Sequence, residues 1–181
     1  MEDRETIEAM VSIAAYDIRG RILQRAVEIE STLDIYISEH FTTDSVKNEE
    51  LVCLVLSPRV TFENKIQIFR YLVDKYNPEF KNEYKQYFKD LVQLCEERNI
   101  FAHYPVDFSE QSIINFRDHK VVTFVKLKNV TQEGDIKLVN VRAMPEDAVN
   151  TILGQMIKYI QALKKLIGNS PKYGENQNNQ D

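Results

Sequence analysis

The chain has 181 residues, 43% of them apolar and 28% charged, with a formal charge of −5. That length supports a real hydrophobic core, and the composition is that of a soluble globular protein. The net acidity excludes the broad positive surface needed to coat long nucleic acids nonspecifically, but it permits a small local basic site.

Only five Gly and five Pro interrupt the chain, which favours long helices over a many-turned β fold. The opening MEDRETIEAM lacks the basic and apolar regions of a signal peptide, and no apolar run reaches membrane-spanning length. A cytoplasmic protein without membrane partners is expected. From about Thr6 to His40, apolar residues such as Ile22, Ala26, Ile29, Leu33 and Ile37 recur at spacings of three and four. They predict an amphipathic helix, with a kink near Gly20. Thr42-Thr43-Asp44-Ser45 supplies a loop and a cap, and Glu49–Leu56 reads as a short helix stopped by Ser57-Pro58. Thr61 caps a third helix with a stripe of Phe62, Ile66, Phe69 and Val73. Asn77-Pro78 ends it and starts a fourth, which carries Phe80, Tyr84, Tyr87, Phe88, Leu91, Leu94 and Cys95. Pro105 disfavours helical geometry at Tyr104, so this helix ends near Ala102 or His103.

The pattern then changes. A β-hairpin insertion is predicted at about 112–142. It contains VVTFVKLKN and IKLVNV around a Glu133-Gly134-Asp135 turn, with room for a third short strand. Pro145, Glu146 and Asp147 open a last helix, whose core face is Val149, Ile152, Leu153, Met156, Ile160, Leu163 and Ile167 and which Gly168 closes. The expected architecture is mainly α: a bundle of about five helices with a hairpin before the last. One domain is predicted over residues 1–168, followed by a disordered polar tail at 169–181. Cys53 and Cys95 lie in apolar helical patterns and read as free, buried thiols.

Chemistry-bearing patterns are few. The sequence has no Gly-rich phosphate loop, no GxSxG and no HExxH, and its three His are not at metal-ligand spacing. No metal or cofactor is implied. Glu96-Glu97-Arg98-Asn99-Ile100-Phe101-Ala102-His103-Tyr104-Pro105 stands apart. On a helix, Asn99 and His103 share a face, whereas Arg98 and His103 are offset by roughly 140°. For both to reach one phosphate, either the last turn unwinds and Arg98 sweeps round, or two such helices meet across a two-fold axis. A bland alternative pairs Arg98 with Glu96, Glu97 or another helix and leaves His103 capping carbonyls at the helix end. Other cations form small groups: Arg21 and Arg25 on one helix face, Lys126 and Lys128 on one strand face, and Arg117, His119 and Lys120 nearby. With Tyr104 as a base-stacking ring, these are RNA-guiding candidates, although each pattern also suits a solvated face.

The Arg98-Asn99-x-x-x-His103 pattern, late in a helix of a mainly helical protein, resembles the signature of the HEPN superfamily. Arg98, Asn99 and His103 match its motif positions, and the likeness loosely covers residues 6–168, with the hairpin as an addition. The resemblance implies a metal-independent endoribonuclease acting as a homodimer, a toxin or defence effector regulated by a cognate antitoxin or other protein. Arg98 would grip the phosphate, His103 would move protons, and Asn99 would orient His103 or touch RNA. The 2′-hydroxyl would attack the adjacent phosphorus, with one imidazole or two sharing the proton transfers. Some HEPN-like domains are non-catalytic, so an interaction or RNA-binding module is the alternative. A helical antitoxin or regulator is a third reading, without a DNA-reading motif to support it.

Overall fold

The computed structural model describes residues 3–83, 85–129 and 136–169. Its elements run in order α1 (Arg4–Phe41), α2 (Ser45–Glu50), a π-helical turn (Leu51–Leu56), α3 (Ser57–Arg59), α4 (Phe62–Tyr76), α5 (Pro78–Glu83), α6 (Lys85–His103), α7 (Glu110–His119), β1 (Val122–Asn129), β2 (Ile136–Met144) and α8 (Glu146–Asn169). The class is mainly α, with a two-stranded antiparallel hairpin immediately before the last helix. By backbone proximity the chain divides into two compact units, Met1–Gln24 with Glu97–Gln155 and Arg25–Glu96 with Met156–Asp181.

In the first unit, α1 buries Ile7, Val11, Ala15, Ile18 and Ile22, at the three-four spacing that puts them on one helix face. Phe101 and Phe124 are fully buried and meet edge to face, with centroids 5.1 Å apart. Each buried ring contributes about 1.5–3 kcal/mol of hydrophobic stabilisation. β1 pairs β2 from Val122↔Met144 to Asn129↔Ile136, and a bulge shifts the partner from Arg142 at Phe124 to Asn140 at Val125. The third pairing comes from the segment after α6. Val106 bridges Phe124, Val125 N–H donates to the Pro105 carbonyl at 2.9 Å, and Asp107 N–H donates to Thr123 at 2.8 Å.

The start of the expected hairpin insertion, residues 112–119, is instead helical and belongs to α7, which runs from Glu110 to His119. Ser109 caps it by accepting from Ser112 N–H, the Asp107 carboxylate holds both serine hydroxyls, and Ile113 and Phe116 turn inward. Its far end closes on Lys120 in the left-handed region, φ 55°, whose N–H bonds the Phe116 carbonyl. α1 remains helical through Gly20.

In the second unit the core comprises Ile29, Leu33 and Ile37 of α1, Ile66, Phe69 and Val73 of α4, and apolar residues of α6 and α8 such as Leu91 and Leu163. Within it Lys65 is 1% exposed and pairs with Glu30 at 2.8 Å and Asp34 at 2.9 Å. Burial, reinforced by the hydrogen bond to Asp90, holds the Tyr159 hydroxyl in its protonated form and raises its pKa. Within the expected loop-and-cap stretch Asp44 caps α2, accepting from Val46 and Lys47 N–H groups, and the helix begins at Ser45 rather than at Glu49. The segment does not stop at Ser57-Pro58. Ser57 N–H reaches back five residues to the Val52 carbonyl, and this wider turn eases the clash a proline ring makes with the preceding helical turn. The same turn leaves Cys53 exposed, and Cys95 is half-buried, so the expectation of two buried thiols is corrected. α8 runs one residue past the expected close at Gly168, to Asn169, the first residue of the tail expected at 169–181. Tyr84, the Glu133-Gly134-Asp135 turn and the rest of that tail lie outside the described residues.

Candidate functional site

The motif occupies the end of α6, within the first unit. α6 buries Leu94, Glu97 and Phe101 on one stripe. Asn99 and His103 fall on the opposite, exposed side, and Arg98 is half-buried on the flank. The helix does not unwind before Pro105: it is α-helical through His103, and Tyr104 N–H still donates to the Ile100 carbonyl at 3.0 Å. Within one chain, Arg98 and His103 therefore stay offset by roughly 140° about the helix axis.

Arg98 donates from Nη1 to Asn99 Oδ1 at 3.0 Å and makes no ion pair with a carboxylate among the described residues. The neighbouring acid is committed elsewhere. Glu97, with a side chain only 6% exposed, pairs with Arg142 of β2 at 2.6 Å. Tyr104 is half-buried, its carbonyl accepts from the Arg19 guanidinium, and the Lys126 ammonium lies 5.6 Å from its ring centroid. Arg19 itself lies over Phe124, 5.2 Å from that centroid. Tyr104, directly after exposed His103 in the chain, thus meets exposed Lys126 of β1.

The remaining cations are placed differently. Arg21 braces α1 to α8, pairing with Asp17 at 3.3 Å and Glu146 at 3.1 Å and donating to Asn150 at 2.8 Å. Arg25 belongs to the other unit and pairs with Glu28 at 2.7 Å. Arg117 pairs with Asp118, and Lys120 lies over Phe116. Lys128 falls on β1, but its side chain lies outside the described residues. Sequence reasoning missed Glu97, Arg142 and Arg19. A signal was present for the first: Glu97 sits at the apolar spacing of Leu94 and Phe101, where only a paired charge is tolerated.

The second unit carries an apolar groove of about 560 Å³. It is lined by Phe41, Val55, Leu56, Ile68, Tyr71 and other residues, among which Phe41, Val55 and Tyr71 are exposed. No helix among the described residues is long and apolar enough to cross a membrane. The fold and the motif define a mainly α protein with an arginine- and histidine-bearing helix end tied to a hairpin. Compared with family models, curated proteins and solved structures, the chain matches none.

Proposed function

We propose that the chain is a metal-independent endoribonuclease of HEPN type, with a site completed across a two-fold homodimer. One observation carries this reading: Asn99 and His103 share the open face of an intact helix end, with Arg98 held beside them by Asn99 and unpaired by any carboxylate among the described residues. Because a straight helix points Arg98 and His103 apart, an arginine of one subunit serves the histidine of the other. The 2′-oxygen bonds to phosphorus, the bond to the 5′-oxygen breaks, and the products are a 2′,3′-cyclic phosphate and a 5′-hydroxyl. One His103 takes the 2′-hydroxyl proton and the other delivers a proton to the leaving oxygen, restoring the balance. Arg98 meets the charge growing on the phosphoryl oxygens. Tyr104 and Lys126 hold the adjoining nucleotide by stacking and charge.

The test is incubation of RNA with the protein in EDTA. Cleavage by the wild type that His103→Ala and Arg98→Ala each reduce at least a hundredfold supports the reading, that being the usual scale of a general acid–base contribution. Intact RNA, or equal cleavage by all three proteins, ends it. A non-catalytic interaction module is the second reading, and the exposed apolar groove favours it.

A further inference from the structure

Groups outside α6 hold its last turns from both ends of the motif. Before it, Arg142 of β2 reaches the buried Glu97 carboxylate, and Glu97 directly precedes Arg98 and Asn99. After it, Arg19 of α1 donates to the carbonyl of Tyr104, the residue following His103. The chain then passes into strand pairing, with the Pro105 carbonyl accepting from Val125 N–H. Phe124 links the two clamps: it pairs with Arg142 in the hairpin register, meets Phe101 edge to face and lies under Arg19.

A helix end frays unless its orphan carbonyls find donors. Here the donor comes from another helix, at the point where fraying would release His103. Rotation about the helix axis decides where Asn99 and His103 face, and a buried carboxylate tied to a cation resists that rotation because turning it would expose an uncompensated charge. We infer that Arg142 and Arg19 are positioning residues for the motif: Arg142 fixes the turn bearing Arg98 and Asn99, and Arg19 fixes the end bearing His103. The catalytic consequence rests on the ribonuclease reading, whereas the geometric consequence stands without it.

The experiment is amide hydrogen exchange and histidine side-chain NMR on the full chain, comparing wild type, Arg19→Gln, Arg19→Lys, Arg142→Gln and Arg142→Lys. Arg19→Gln raises exchange roughly tenfold at His103 and Tyr104 and shifts the His103 imidazole signals, with the rest of the first unit protected as before. Arg142→Gln does the same at Arg98 and Asn99, and each lysine variant restores much of the effect by keeping a cationic donor. If the wild type cleaves RNA, both glutamine variants lower kcat with little change in KM. Unchanged exchange over 97–104 in the glutamine variants overturns the inference, as does a loss of protection spread evenly through the unit. Should Arg142→Gln not fold, Glu97→Gln/Arg142→Gln, which leaves no buried charge, carries the same measurement. A wild type that leaves RNA intact removes the ribonuclease reading alone, and the exchange result still decides this one.

Discussion

Arg142 lies 2.6 Å from Glu97, tying the hairpin's second strand to the turn of α6 that carries Arg98 and Asn99. The glutamate side chain is 6% exposed and the arginine 38%, so solvent screens one partner but not the other. Replacing Arg142 with Ala removes the cation paired with a buried carboxylate and should cost about 2 kcal/mol, below the range for a fully buried pair because of that screening. Adding Glu97→Gln should recover much of the loss. Urea denaturation of the two singles and the double measures this. Strictly additive losses would show that the pair is not coupled.

Lys65 is the most buried cation among the described residues, sealed with Glu30 and Asp34. Lys65→Met removes the cation from buried Asp34 and from Glu30, whose side chain is 25% exposed, and a loss of about 3 kcal/mol is expected at neutral pH. A change below about 1 kcal/mol on denaturation would contradict the ion triad's role.

Asp34 supplies a pH signature. Burial pushes its carboxyl above the ordinary 3.8, more than Lys65 pulls it down, and its Oδ1 has no hydrogen-bond partner among the described residues. An acid with a raised folded pKa binds protons more tightly folded than unfolded. Its contribution is therefore present below about pH 4 and is lost as pH rises through the folded value. Relative to Asp34→Asn, the wild type should lose stability as pH climbs from about 4 towards neutrality. Parallel stability–pH curves for the two proteins would count against this assignment.

His40 has the opposite sense. It packs against Phe41 and Tyr76, and burial, followed by the charge of Lys75, lowers its pKa below 6.5. Folding favours the neutral imidazole, so this contribution is full above 6.5 and is lost as pH falls through the folded value. Proton NMR titration should place His40 below an unfolded-state histidine, and Lys75→Gln should move it upward. A His40 midpoint unaffected by Lys75→Gln would exclude the lysine's part.

Gly20 sits inside α1, and a Cβ there would meet nothing within 4 Å. Gly20→Ala should stabilise the protein by roughly 0.5–1 kcal/mol through helix propensity. Thermal denaturation decides the sign, and a lower melting temperature would mean that the helix needs glycine's freedom there.

The helices were legible because their apolar spacing carries most of the information. Phe62, Ile66, Phe69 and Val73 are all buried where the periodicity put them, and Pro105 ends α6 at His103. α7 was not legible as a helix because its signal lies in Ser109 and Asp107, polar residues whose capping role depends on where the chain goes next. The π-helical turn escaped for a related reason: composition does not say that Ser57 N–H will reach back five residues rather than four. At the site, the exposed face of Asn99 and His103 followed from helix geometry. The clamps from Arg142 and Arg19 did not, since partners 45 and 85 residues away are joined by tertiary packing alone.

Neither compact unit is a continuous stretch of chain, and the divisions after Gln24, Glu96 and Gln155 all fall inside helices, α1, α6 and α8. No single truncation of the gene yields either half intact, because any cut that separates them severs a hydrogen-bonded ladder midway. A ribosome must therefore deliver residues beyond 97 before the opening two dozen can settle into their unit, and fragment expression is a poor route to dissecting this protein.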